Sequence, residues 1–177
     1  MELSGKMLGI IGMGRIGKIL AKKASALGMR IIYCDIKITE GADSSWQSLP
    51  LEEVLTQADF ISLHVSSYGN NGYLIDEPQF KMMKRSAFLI NTARGRLVNE
   101  DALISALDNN EIAGAGIDVY CQEPCNNTAL LQHDMISVTP HIGASTGEAQ
   151  YRIGQEISQL IEEYQKKKIR GERHGIY

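Results

Sequence analysis

The sequence predicts an α/β fold, a doubly wound parallel sheet with helices on both faces, and three observations carry that prediction. Short apolar runs alternate with amphipathic stretches from end to end, the rhythm of repeated βαβ units. The runs are continuous rather than alternating, as strands covered on both faces require. A glycine-rich turn, Gly12-Met13-Gly14-Arg15-Ile16-Gly17, joins the first apolar run to the first amphipathic stretch.

Element by element, Met7 to Gly12 reads as a buried strand. Arg15 to Leu27 reads as a helix with Ile16, Ile19, Leu20, Ala24 and Leu27 on its inner face and Gly28 as its C-cap. Further strands are expected at Arg30–Cys34, Phe60–Val65, Ala87–Asn91, Ala115–Val119 and Met135–Val138, with helices filling most gaps. One of these starts at Asn99, a good N-cap, and buries Ala102, Leu103, Ala106 and Leu107. The last helix is expected to open on a Ser145-Thr146-Gly147-Glu148 capping box and to bury Ile153, Ile157, Leu160, Ile161 and Tyr164. Beyond Lys166-Lys167-Lys168 the chain turns polar and basic, which suits a solvated tail. The expected division is residues 1–147 as a cofactor-binding domain and 148–177 as an exit helix and basic tail.

Composition limits the function. The 177 residues are 44% hydrophobic and 22% charged, enough apolar surface for one real core. Eighteen Lys+Arg against 21 Asp+Glu give a net charge of -3, which provides no general basic surface for nucleic acid. No apolar run reaches the roughly 18 to 20 residues of a membrane span, and the first residues lack the layout of a signal peptide, so a cytoplasmic protein is expected. Cys34, Cys121 and Cys125 form neither a C-x-x-C pair nor an even-numbered framework, so neither a metal site nor a disulfide scaffold is expected.

The glycine turn has a specific chemistry. Gly12 permits the tight turn, Gly14 lets a pyrophosphate approach the backbone, and Gly17 lets the helix pack closely on the strand. Free N–H groups at the helix start attract the phosphates. Asp35 ends the next strand, close to the ~20-residue spacing at which an acid accepts hydrogen bonds from the adenosine ribose. A carboxylate there repels a 2′-phosphate, so the expected cofactor is NAD rather than NADP, a preference that nearby Lys37 weakens slightly.

Three polar clusters lie just beyond predicted strands: Asn91-Thr92-Ala93-Arg94-Gly95, Asp118 to Pro124, and Thr139-Pro140-His141-Ile142-Gly143. Ligands of open α/β sheets sit at these carboxyl ends. Taken singly, Arg94 reads equally as a surface arginine, Glu123 as a loop acid and His141 as a helix-capping histidine. As a set beside a dinucleotide turn they suit hydroxy-acid oxidation. A guanidinium fork would take the carboxylate, an imidazole the hydroxyl proton, and a carboxylate would orient the imidazole.

These motifs, with Glu2-Leu3-Ser4-Gly5-Lys6 leading into the turn, resemble the NAD-binding (Rossmann) domain of D-isomer-specific 2-hydroxyacid dehydrogenases over nearly the whole chain. The resemblance implies that Arg94 holds a substrate carboxylate and carbonyl, and that His141 is acid and base with Glu123 paired to it, which would raise the imidazole pKa. It also implies that Arg15 and Ile16 cover the pyrophosphate with their backbone, that Asp35 holds the ribose, and that Asp118 contacts the nicotinamide amide. His64, Thr92 and Gly143 are counted with the cofactor-binding positions. A small 2-hydroxy acid is the expected substrate and a homodimer the expected assembly. The alternative is an NAD(H)-sensing dimerisation module without turnover, which the intact set of Arg94, Glu123 and His141 disfavours.

Two features depart from the family pattern. After Leu63-His64-Val65 the family continues with a proline and two threonines, whereas Ser66 to Gly72 are polar and glycine-rich here. The family also carries roughly 100 or more residues ahead of this region, folded with the chain end into a substrate domain. The expectation is therefore a single cofactor domain with its substrate domain missing, which alone binds NAD but turns over little.

Overall fold

The computed structural model describes residues 2–37, 43–66 and 72–169. Most of the atypical Ser66 to Gly72 stretch and the basic tail beyond Ile169 lie outside the described residues. The chain divides into two compact units, Met1–Pro140 and His141–Tyr177.

The first unit is built on seven parallel strands: β1 (Met7–Ile11), β2 (Arg30–Cys34), β3 (Gln47–Ser48), β4 (Phe60–Leu63), β5 (Phe88–Asn91), β6 (Gly114–Ile117) and β7 (Ile136–Val138). Their order is β3-β2-β1-β4-β5-β6-β7, the doubly wound arrangement, with the order reversing between β1 and β4. Helices α1 (Arg15–Ala26), α2 (Leu51–Gln57), α3 (Glu77–Met82), α4 (Glu100–Asp108) and the short α5 (Thr128–Leu131) form the connections. A 3-10 turn spans Gly95–Leu97.

Period-two alternation divides the core between the two faces of the sheet. Leu8 and Ile10 of β1 join Ala21 and Ala24 of α1, with Ile31, Tyr33 and Trp46, in one apolar cluster. Ile11 joins the larger cluster that contains Val54, Leu55, Phe80, Leu103 and Leu107 from α2, α3 and α4. Gly9 faces this side because a Cβ there would meet Val54 Cγ1 at 2.7 Å and Ala58 Cβ at 2.9 Å. The Asn99 cap of α4 forms as its sequence implies, its side chain accepting from Asp101 N and Ala102 N.

The expected inner face of α1 is corrected in part, since Ala24 is buried and Leu20 packs against the smaller cluster as expected. Ile16, Ile19 and Leu27 are exposed, Ile16 by 66%, and the buried positions are Gly17, Ala21 and Ala24. The helix rotation is set by Gly17, where a Cβ would stand 2.3 Å from Gly12 O. Small residues let the helix lie close to the strand, and this outweighs the burial of larger ones.

The second unit contains α6 (Gly147–Ile169). Two expectations fail here. Thr146, not Ser145, caps the helix start, its Oγ1 accepting from Ala149 N at 3.1 Å. Ile153, Ile157, Leu160, Ile161 and Tyr164 are all exposed rather than buried. Their spacing records an apolar stripe, but a stripe is buried only where a second surface meets it.

Candidate cofactor and substrate site

In a parallel sheet every strand delivers its last residue to the same edge, and ligands lie where the strand order reverses. Here that point lies between β1 and β4, at Gly12 and His64. Gly12 adopts φ 99°, a conformation that favours glycine, and a Cβ there would meet His64 C and O at 2.7 Å. Backbone packing and backbone conformation therefore both demand glycine at this position.

Gly14 is different. It is the N-cap of α1 with ordinary φ −74°, and among the described residues a Cβ built on it meets nothing within 4 Å. Among those residues no side chain caps the helix, and its first turn carries no acidic group. A serine or aspartate would cap this helix better. The missing side chain leaves the helix N–H groups, with their partial positive charge, open to an anion. These features fit a dinucleotide pyrophosphate laid across Arg15 and Ile16.

Asp35 lies just beyond β2, and its carboxylate is already engaged by backbone. Oδ2 accepts from Met13 N at 2.7 Å and Oδ1 from Lys37 N at 2.9 Å. It therefore braces the glycine turn, with acceptor capacity remaining on both oxygens. His64 is half-buried, its Nε2 is 2.9 Å from Ser62 Oγ, and burial holds its pKa below the usual histidine range.

The remaining site residues follow β5 and β6. Asn91 is 1% exposed; its Nδ2 donates to Arg94 O at 2.9 Å and its Oδ1 accepts from Ala93 N at 3.1 Å, which templates the loop carrying Arg94. Thr92 and Arg94 on this loop are exposed. Gly95 then packs on the next loop so closely that a Cβ would stand 1.9 Å from Tyr120 C. Glu123 belongs to that second loop and accepts at Oε1 from Tyr120 N at 3.2 Å. The structure thus brings the Arg94 and Glu123 loops into backbone contact.

Asp118 is 5% exposed, and its Oδ1 accepts from Thr139 Oγ1 at 2.5 Å. Tyr120 Oη donates to Thr139 O at 2.7 Å. Nothing in the residue types marks Asn91, Tyr120 or Thr139 as organisers: Asn91 acts on the main chain of its own loop, and Tyr120 and Thr139 bond to segments distant in the chain. His141 and Gly143 belong to the second unit, where His141 is exposed and holds φ 53°. A left-handed conformation at a non-glycine residue costs about 1 kcal/mol or more and tends to mark functional positions.

Among the described residues no His, Cys, Asp and Glu cluster could hold a metal ion, and no helix is long and apolar enough to cross a membrane. The three cysteines are free thiols. Burial and the Glu100 carboxylate push the Cys121 thiol up to about 11, which makes it a poor nucleophile. A cavity of about 400 Å³ lined by Tyr73, Asn99, Glu100, Cys121, Cys125 and Asn127 includes none of the expected site residues.

Comparison with known proteins agrees with this fold. The family described as "D-isomer specific 2-hydroxyacid dehydrogenase, NAD binding domain" matches residues 1–143. D-3-phosphoglycerate dehydrogenase of Sus scrofa is 41% identical over 89% of this chain and 30% of its own length. Glyoxylate reductase of Pyrococcus furiosus is 41% identical over 90% of this chain and 48% of its own. The NAD-complexed D-isomer specific 2-hydroxyacid dehydrogenase of Lactobacillus delbrueckii ssp. bulgaricus superposes with a TM-score of 0.83 at 31% identity, covering 98% of this chain and 56% of that one. The chain thus spans about a third to a half of the length of the curated relatives named here.

Proposed function

Because this chain belongs to the D-isomer specific 2-hydroxyacid dehydrogenase family, as its NAD-binding domain, we propose that it binds NAD(H) for hydride transfer between that cofactor and a D-2-hydroxy acid or its 2-keto acid. The observation that carries this reading is Gly14, a helix cap with no side chain where packing leaves room for one. NAD supplies the hydride acceptor when bound; the chain holds and orients it. Arg15 and Ile16 offer backbone N–H groups to the pyrophosphate, Asp35 accepts from the ribose hydroxyls, and Asp118 accepts from the nicotinamide carboxamide. His64, Thr92 and Gly143 complete the cofactor-binding set within a domain of residues 1–147.

Arg94 takes the substrate carboxylate, a role supported by its exposed guanidinium on a loop fixed by Asn91. His141 exchanges the hydroxyl proton and Glu123 is its acidic partner in the reaction, roles that rest on residue chemistry and on the family resemblance. We assign the protein to the cytoplasm, where free thiols persist, and to a homodimer, supported by the exposed apolar residues Ile16 and Ile19 of α1 and Leu27 at its C-cap.

Calorimetric titration with NADH and NADPH tests the reading. NADH is expected to bind about tenfold or more tightly than NADPH, and Asp35→Ala to weaken NADH about tenfold, since it loses both the ribose acceptor and the brace on Met13. A folded chain that binds neither nucleotide refutes the proposal.

A further inference from the structure

We propose that Thr139 is a positioning residue whose hydroxyl holds the Asp118 carboxylate as an oriented acceptor for the carboxamide of bound nicotinamide. The inference rests on the role given to Asp118 above and extends it to a residue on the neighbouring strand end.

Asp118 is buried, and a buried carboxylate requires donors that fix it. Its backbone N–H donates to Asn91 O at 3.0 Å, so the main chain is anchored from the β5 side. Its side chain is anchored from the β7 side, by Thr139 Oγ1 at 2.5 Å, within the short range of an O–H to carboxylate bond. A hydroxyl has a single hydrogen, and Thr139 commits its own to Asp118.

Thr139 is in turn held at three points by one short segment. Its N–H donates to Ile117 O at 3.0 Å, its carbonyl accepts from Tyr120 Oη at 2.7 Å, and its hydroxyl reaches Asp118 between them. The side chain is β-branched and therefore has few rotamers. These three bonds tie Thr139 to segment 117–120, so that its hydroxyl holds Oδ1 of the Asp118 carboxylate in place before any ligand arrives. A carboxamide N–H needs an acceptor in one direction, and an acceptor that does not have to be ordered on binding gives more affinity.

The test separates the nicotinamide end of the cofactor from the rest. Wild type, Thr139→Val, Thr139→Ser and Tyr120→Phe are titrated calorimetrically with NADH and with ADP-ribose, which lacks the nicotinamide ring. Thr139→Val keeps the shape and loses the hydrogen bond. It is expected to weaken NADH about tenfold and ADP-ribose by less than about twofold, while Thr139→Ser stays within about threefold of wild type for both. Tyr120→Phe, which frees the Thr139 carbonyl, is expected to show the same selectivity at about threefold, and it carries the test if the valine variant does not fold. Parallel losses for NADH and ADP-ribose, or no loss of NADH affinity, overturn the proposal. A wild-type chain that binds no NADH overturns the cofactor reading as well, so the two failures are told apart by the wild-type titration.

Discussion

Single atoms decide the geometry of this site. Gly95 has no side chain because the Tyr120–Cys121 peptide occupies that space, with Cys121 N 2.4 Å from where a Cβ would lie. Gly95→Ala should therefore cost about 3 kcal/mol of stability, read as a lowered urea midpoint, because backbone rather than a flexible side chain must yield. A loss under about 0.5 kcal/mol would mean that the two loops do not depend on this contact. Arg94, Glu123 and His141 were legible as candidates from residue type and strand-end position, and Asp118 only through the family resemblance. Asn91, Tyr120 and Thr139 were not, since Asn91 acts on the main chain of its own loop, Tyr120 and Thr139 act through hydrogen bonds between distant segments, and none has a side chain unusual for its place. Sequence patterns record which residues lie at the edge of the sheet, whereas the bonds across that edge exist only after the strands are ordered.

At the scale of elements, six of the seven strands were legible to within about two residues because both-face burial demands continuous apolar runs, whereas β3 was missed because its two residues, Gln47 and Ser48, are polar and exposed. The rotation of α1 was not, because a contact at Gly17 outweighs the larger side chains that a periodicity argument weighs most. Asp59 shows how elements are tied together beyond the ladder. It accepts from Met7 N at 2.8 Å and from Lys84 Nζ at 2.8 Å, joining the entry of β4 to that of β1 and to the segment before β5. Burial raises its pKa, but the hydrogen bonds from Lys84 and Met7 and the charges of Lys84 and Lys6 outweigh this and leave it below the usual carboxylate range. A depressed folded-state pKa stabilises above the unfolded value, near about 4, and that contribution disappears as pH falls through the folded value. Asp59→Asn is expected to lose about 1 to 3 kcal/mol at pH 7, with the gap to wild type narrowing below about pH 4 in denaturation curves. A gap that is constant with pH would assign the loss to packing instead.

For the whole molecule, exposed apolar residues matter more than net charge. Ile19 on α1, Leu27 at its C-cap and Ile157 on α6, which is 51% exposed, lie on surfaces that a solitary chain leaves wet. A net charge of -3 provides only modest repulsion between copies. Sedimentation of the purified chain should show concentration-dependent self-association, and Ile19→Glu with Leu27→Glu should abolish it without lowering the thermal midpoint; a monomeric wild type would remove α1 as the interface. One local feature also bears on history. Folding alone guards Gly12, Gly17 and Gly95, where any side chain collides, but it leaves position 14 open to substitution. In a lineage released from its ligand, drift would therefore enter at residue 14 first, and a descendant with the other three glycines intact and a serine there would be a folded relic.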